Sequence, residues 1–342
     1  MNVPPQLGSE PVHRRTPRTV VASYLLGLIT LSALIGVVAR IGDLERFAGL
    51  IGRVELRWLL LCLALQGGTY LSEAMAWKAV LDRCGARLRL GPLLPLSLAK
   101  LFSDQAMPSA GISGNAFFVA ALRRRGVSSA TALACVLCEV AAHFAAYAAL
   151  AACSLLVLLS HHDARRWLVA VTAVFVALQT SVPLALWHVR RRGRLPGQAL
   201  AARLPRLRGW TSTLQQAATG LPLRPGLFVR LVALRGAIIL LDAATLWTIL
   251  RGLGQDAPRG LVFSSFMTAS MVMSLSPVPL GLGTFEATCV AALHGAGIGV
   301  EAGLAATLLL RGMTAWLPMI PGVWLIRREM RGGHAGQSTM RG

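Results

Sequence analysis

Four ionisable side chains lie in pairs inside long apolar stretches of this sequence. Glu139 and His143 are four residues apart, and Arg235 and Asp242 are seven apart, so the members of each pair share one helix face. A charge at the centre of a membrane span costs about 2.5–3.5 kcal/mol on insertion scales. Each pair therefore predicts either a neutralising contact that holds helices together or a polar path through a membrane.

Glu286 and Arg311 are a second set of costly charges. Glu286 follows a break rich in Pro and Gly and begins a short helix, where exposed N–H groups and the helix dipole favour an anion. Arg311 lies in the next apolar segment and has no acidic residue one turn away. We expect these two side chains to touch; alternatively, Arg311 binds a phosphate oxygen through two N–H groups. Lys100 and Asp104 are spaced to pair on one helix, and Glu73 lies within another apolar segment.

Other motifs that carry chemistry are missing from the sequence. The stretch Pro279-Leu-Gly-Leu-Gly lacks the Lys-[Ser/Thr] that completes a phosphate cradle, and neither a dinucleotide fingerprint nor HExxH occurs. His161-His162-Asp163 indicates a solvated turn rather than a metal site. We therefore expect no cofactor, no metal and no enzymatic activity. An intramembrane enzyme that uses Glu139 and His143 is an alternative, but it lacks a recognisable nucleophile.

The composition places these charges in a membrane protein. Of 342 residues, 55% are hydrophobic and 14% are charged, and the mean hydropathy is +0.60, whereas soluble domains carry about 25% charged residues. This composition argues against a soluble enzyme, a disordered chain and a secreted disulfide module. The formal charge of +20 would by itself also suit a nucleic-acid binder. The six cysteines, including Cys135-x-x-Cys138, are predicted to be packing thiols.

Six apolar segments are long enough to cross a bilayer, which takes about 20 helical residues. They are 20–39, 56–81, 128–160, 167–189, 226–250 and 300–326. The first is predicted to be a retained span, because its apolar run is too long for a signal peptide and no convincing cleavage site follows it.

Two further apolar stretches are broken by Pro and Gly into halves of about 10–17 residues, which is short for a span. The break residues are Pro108, Gly111 and Gly114 in the first stretch, and Pro277, Pro279, Gly281 and Gly283 in the second. Short halves and a broken backbone predict re-entrant helical hairpins, which need protein or water around the break. A pair of kinked full spans is the alternative.

The two breaks are related by an internal repeat. A shift of 171 residues places Pro108 on Pro279, Asn115 on Glu286 and the segment VAAL at 119–122 on an identical one at 290–293. Three crossings per half would invert the second copy, an architecture that recurs in secondary transporters. We therefore predict an all-α polytopic membrane protein with six transmembrane helices and two re-entrant hairpins in an inverted repeat. Duplication for packing alone is the alternative.

The repeat also sets the predicted domain organisation. A cytoplasmic tail at 1–19 precedes the first repeat at 20–163, and the second repeat at 164–327 precedes a cytoplasmic tail at 328–342.

The positions of the basic residues orient the chain. With the N-terminus inside, the cytoplasmic segments hold 21 of the 34 basic residues and the outer segments hold 8, as the positive-inside rule expects. This predicts an inner-membrane protein with both termini in the cytoplasm. The Arg-rich segment 189–225 is predicted to lie on anionic lipid headgroups, with a solvated linker as the alternative. Membrane lipids explain the charge without nucleic acid.

These motifs resemble the transmembrane region of the lysylphosphatidylglycerol synthase family, which is also described as flippase-like or as uncharacterised membrane protein family 0104. The sequence Ser276-Pro-Val-Pro-Leu-Gly-Leu-Gly-Thr-Phe-Glu286, then Gly297 and then Leu310-Arg311, is similar to the second half of that family. The first-half hallmark runs from Pro108 into Asn115, which stands where the family often has an acidic residue. The name-giving synthases also carry a soluble aminoacyl-transferase domain, which we expect this protein to lack.

The resemblance implies a role in moving or handling lipids. We expect Arg311 and Arg235 to meet a polar, anionic headgroup, and Glu286 to position Arg311 or exchange a proton. The remaining candidates along the path are Asp242, Asn115, Glu139 and His143. The alternative is a membrane scaffold that transports nothing and binds an enzyme of lipid or cell-envelope biosynthesis.

Overall fold

The part of the chain that the structure describes is built from α-helices, without strands. This computed structural model describes residues 55–317 apart from 87, 107–111, 161–165, 193–216, 218–219, 221–223 and 277–280. The all-α prediction is confirmed for these residues. The predicted first span, both tails and most of the Arg-rich segment lie outside them.

Nine α-helices follow one another in the described residues. They are α1 (Leu56–Arg83), α2 (Leu90–Ala106), α3 (Ile112–Arg124), α4 (Ser129–Ser160), α5 (Arg166–Arg192), α6 (Pro225–Gly252), α7 (Arg259–Leu275), α8 (Thr284–Gly295) and α9 (Val300–Arg311). A π-helical turn, Gly312–Trp316, continues α9. The bounds of α1, α4, α5 and α6 lie within two or three residues of the predicted spans.

Three helical segments are long and apolar enough to cross a membrane. They are Leu56–Arg83, Ser129–Ser160 and Val169–Arg192. Large apolar side chains such as Leu63, Leu156 and Leu178 are exposed along them. Such a surface is unfavourable in water and suits hydrocarbon. The total of six spans stays a prediction.

Each Pro- and Gly-rich break separates two helices that pack on each other, α2 on α3 and α7 on α8. These helices have 17, 13, 17 and 12 residues, fewer than the roughly 20 that a span needs. Gly281 and Gly283 lie in the second break, whereas Gly114 lies in the first turn of α3 rather than in the break. The other break residues, Pro108, Gly111, Pro277 and Pro279, lie outside the described residues. A re-entrant course stays a prediction.

The order of the helices recurs along the chain. The helices α6 to α9 begin 169 to 172 residues after α1 to α4, in the same order. Positive-φ glycines follow the same spacing. Gly85 and Gly254, at φ 80° and 76°, follow α1 and α6, and Gly126 and Gly297, at φ 83° and 88°, follow α3 and α8. Only glycine adopts this backbone conformation readily, so the helix ends recur as well as the helices.

The helices form two apolar cores. One is centred on α1 to α4 and contains Trp77 and Phe118, whose ring centroids are 3.9 Å apart. The other is formed mainly by α6 to α9 and contains Phe266 and Phe285. The helices α1 and α6 pack along each other between these cores, and α4 contacts both of them.

Candidate functional site

The guanidinium of Arg235 lies at the centre of the described bundle and binds two carboxylates. Its Nε donates to Glu139 Oε2 at 2.6 Å, and its Nη2 donates to Glu73 Oε1 at 3.2 Å. Its Nη1 also donates to Glu73 Oε2. The two glutamates are 2–3% exposed. One side chain of α6 therefore joins α1 and α4.

A second cation and an indole complete this arrangement. Lys100 Nζ of α2 lies 4.0 Å from Glu73 Oε1 and 5.9 Å from the Trp77 ring centroid. Trp77 Nε1 donates to the same carboxylate at 2.9 Å. We call Glu73, Lys100, Glu139 and Arg235 the central cluster. Its two acids and two bases balance formally, and it draws α1, α2, α4 and α6 together.

The carboxylate of Asp242 lies at the same α1–α6 interface. It accepts a hydrogen bond from Gln66 Nε2 at 3.0 Å, and the same amide donates to Thr245 Oγ1 at 3.0 Å. No cation lies within ion-pair distance of Asp242 among the described residues. The neutralising contact with Arg235, one of the two predictions for that pair, is not formed, because Arg235 binds the glutamates of α1 and α4 instead.

The contact expected between Glu286 and Arg311 is present. Arg311 Nε donates to Glu286 Oε1 at 2.9 Å, and Gly283 N donates to Glu286 Oε2 at 2.7 Å. Glu286 is the third residue of α8, so its carboxylate caps the helix end where N–H groups are exposed. The Arg311 guanidinium also lies 5.3 Å from the Phe285 ring centroid. We call Glu286 and Arg311 the hairpin pair.

The backbone on both sides of the hairpin pair is unusual. Gly281, at φ 59°, lies so close to Met273 of α7 that an added Cβ would overlap that side chain. After Arg311 the helix widens into the π-helical turn Gly312–Trp316, a feature that is frequent at functional sites. A tight turn before α8 and a π-helical turn after α9 therefore flank the two charges.

The remaining predicted site residues are His143, one turn after Glu139 on α4, and Asn115 on α3. His143 is exposed on α4, and its ring centroid lies 4.8 Å from that of Tyr147. Asn115 is half-buried in the first turns of α3. The side chain of Asp104, which was predicted to pair with Lys100, lies outside the described side chains; Lys100 faces Glu73.

The sequence reasoning missed Gln66 and the pairing of Glu73 with Arg235. A signal for both was present in the repeat. A shift of 169 residues, which relates α1 to α6, places Gln66 on Arg235 and Glu73 on Asp242. The contacts Gln66–Asp242 and Glu73–Arg235 therefore join the same two positions of the predicted repeat in both directions.

Chemically, both clusters are ionic sites inside an apolar bundle. Among the described residues no group of three His, Cys, Asp or Glu side chains could hold a metal ion. Buried ion pairs add little net stability, because desolvation offsets their attraction. Inside a membrane such residues mark substrate or ion pathways.

Apolar helices around buried charges define the class as an integral membrane protein. The family model for the lysylphosphatidylglycerol synthase TM region matches residues 21–322, and the chain belongs to that family. The family links the protein to lipid handling. A search of curated proteins gives no match.

Proposed function

We propose that the protein moves a lipid with a polar, anionic headgroup across the inner membrane, with both of its termini in the cytoplasm. The observation that carries this proposal is the pair of ionic clusters enclosed by apolar helices. In the proposed mechanism the acyl chains stay in hydrocarbon while the headgroup crosses between the helices, and the protein acts as a transporter rather than an enzyme.

An inverted repeat is part of the proposal and is supported by how α1 and α6 pack. Gln66 bonds to Asp242 and Glu73 bonds to Arg235, so the residue number rises along α1 as it falls along α6. The two helices are therefore antiparallel. Helices at equivalent positions of an inverted repeat run in opposite directions, as they do in many secondary transporters.

The hairpin pair is the proposed headgroup site. An arginine matches phosphate oxygens in charge and shape, and Glu286 holds Arg311 through Nε. An anionic headgroup would compete with Glu286 for the guanidinium, so binding and release can alternate with this ion pair. The turn around Gly281 and the π-helical turn would line the path beside it.

Leaflet exchange in reconstituted vesicles tests the proposal. Fluorescent phosphatidylglycerol and phosphatidylethanolamine are incorporated, and a membrane-impermeant quencher reports the lipid that reaches the outer leaflet. We expect the protein to accelerate exchange, and Arg311→Ala and Glu286→Ala to slow it at least tenfold, which is the effect of about 1.4 kcal/mol on a barrier. A larger effect on phosphatidylglycerol would support an anionic headgroup.

The matched control is Arg251→Ala. It also removes an ion pair, with Asp256, but the side chains there are 37% and 91% exposed. We expect exchange at the wild-type rate. Wild-type rates in both hairpin-pair variants, with intact folding, would remove that pair from the mechanism.

The scaffold alternative has one observation in its favour. The helix α5 packs on α4 and exposes Val174, Leu184 and Trp187, an apolar face that suits lipid or another membrane helix. A protein that exchanges no lipid but co-purifies with an enzyme of lipid or envelope biosynthesis would favour the scaffold.

A further inference from the structure

Only one of the two oxygens of the Glu139 carboxylate has a hydrogen-bond partner in the described structure. Its Oε2 accepts from Arg235 Nε at 2.6 Å, whereas its Oε1 is buried and has no hydrogen-bond partner in the described structure. A buried acceptor without a donor carries its desolvation cost uncompensated. The cost is larger for an ionised carboxylate.

The hairpin pair provides an internal comparison. Glu286 is 1% exposed and Glu139 is 2% exposed. Both oxygens of Glu286 are used, one by Arg311 and the other by the backbone of Gly283. The two glutamates therefore differ in hydrogen bonding and not in burial. Of the two, only Glu139 has a carboxylate oxygen without a hydrogen-bond donor in the described structure.

The charges around Glu139 act in opposite directions: Arg235, which donates to it, favours the carboxylate, whereas the neighbouring carboxylate of Glu73 favours the neutral form. Glu73 of α1 shares the Arg235 guanidinium with it and takes both terminal nitrogens. Lys100 Nζ of α2 lies 4.0 Å from Glu73 Oε1, on the side of Glu73. Glu73 and Glu139 repel each other across the guanidinium that they share, and protonation of Glu139 relieves this repulsion.

Titratable groups on the same helix complete the surroundings. Cys135 and His143 lie one turn before and one turn after Glu139, and Cys138 is next to it in the sequence. The imidazole of His143 is exposed, and its ring centroid lies 4.8 Å from that of Tyr147.

We propose that Glu139 is a proton-binding site, and that it takes up and releases one proton in each cycle of the transport proposed above. The proton comes from water on one side of the membrane and adds to Oε1, so Glu139 becomes neutral and Arg235 keeps Glu73 as its ionic partner. Loss of the proton to the other side restores the double pairing. The cycle-linked part of this inference rests on the proposed function, whereas proton binding does not.

Infrared difference spectroscopy of the purified wild-type protein tests the site. A protonated carboxyl has a C=O stretching band that a carboxylate lacks. We expect this band in folded protein, a shift to lower frequency in heavy water, and a loss of the band when the pH is raised. Absence of the band over the whole pH range in which the protein stays folded would overturn the proposal.

Three variants assign the band. We expect Glu139→Gln to abolish it, whereas Glu286→Gln, the matched buried control, and Asp242→Asn retain it. A band that survives in Glu139→Gln, or one that disappears only in Asp242→Asn, overturns the assignment. The pH titration of the wild-type band does not depend on how well any variant folds.

A pH gradient across the vesicles then tests the link to transport. We expect the exchange rate of the wild type to change with the gradient and that of Glu139→Gln to be insensitive to it. If the band is present but the protein exchanges no lipid, the proposed function is rejected and the proton-binding site is supported. Exchange without the band would reject the proton site alone.

Discussion

Replacement of Arg235 by methionine is the sharpest test of the central cluster. The substitution keeps a long side chain but removes the charge that Glu73 and Glu139 share. Both carboxylates would stay buried in the bundle, with Lys100 as the remaining cation near them. The variant therefore measures the stability that is lost when Glu73 and Glu139 no longer bind the guanidinium of Arg235.

The geometry sets the expected size of the effect. The guanidinium contacts the two carboxylates at 2.6 and 3.2 Å, and at an effective dielectric constant of about 20 each such contact supplies roughly 5 kcal/mol of attraction. Desolvation of the ions offsets most of this gain. Removing one partner of a buried ion pair nevertheless costs about 3–5 kcal/mol, because a buried charge is left without compensation. We expect Arg235→Met to lower the free energy of unfolding by that amount.

The assay is an unfolding titration in mixed micelles, followed by circular dichroism. The second variant, Glu139→Gln with Arg235→Met, leaves one acid, Glu73, and one base, Lys100. We expect it to regain more than half of the lost stability. A single variant within about 1 kcal/mol of the wild type, or a double variant no more stable than the single one, would refute the reasoning.

Three more predictions follow from local contacts. Gly281→Ala should lower the free energy of unfolding by about 1–3 kcal/mol, because its φ is 59° and the new Cβ would overlap a side chain of α7. Gly67→Ala is the control, since it faces open space inside α1 and should be neutral or stabilising by up to about 1 kcal/mol. Trp77→Phe removes a donor at 2.9 Å from a buried carboxylate and should cost about 1.5–3 kcal/mol in the same titration; no change would contradict that contact. Cys84 and Cys135 are free thiols with Sγ atoms 3.1 Å apart, so a thiol oxidant should link them with loss of two hydrogens in peptide mass spectra. Cys135→Ser should prevent the link, and its absence in the wild type would contradict the packing of the end of α1 against α4.

The helices were the part of the fold that the sequence could predict. Apolar runs bounded by charges and by Pro or Gly place α1, α4, α5 and α6 to within a few residues, because hydropathy and helix-ending residues act locally. The hairpin pair was predictable for the same reason. Glu286 follows a break that exposes helix N–H groups. Arg311 lies in the next apolar segment, where no acidic residue lies one turn away from it.

The central cluster could not be found in this way. Arg235 and Glu73 are 162 residues apart, and Arg235 and Glu139 are 96 apart, so only packing of α1, α4 and α6 brings them together. Spacing along one helix predicted a contact between Arg235 and Asp242. Arg235 instead binds Glu73 and Glu139, which lie on other helices. A guanidinium that binds two carboxylates gains more interaction energy than one that binds a single carboxylate on its own helix.

The proposed repeat accounts for the positions of the polar side chains between α1 and α6. In the proposed inverted repeat, the antiparallel helices α1 and α6 join the same two positions twice, as Gln66–Asp242 and as Arg235–Glu73. In the copy that carries arginine, Arg235 also binds Glu139 and Lys100 lies near Glu73, so this copy is an ionic cluster. The copy that carries glutamine stays an amide–carboxylate contact. The donor is arginine in one copy and glutamine in the other, so one half of the interface has a charged donor and the other half has an uncharged one. The proton site that we propose lies in the half with the charged donor.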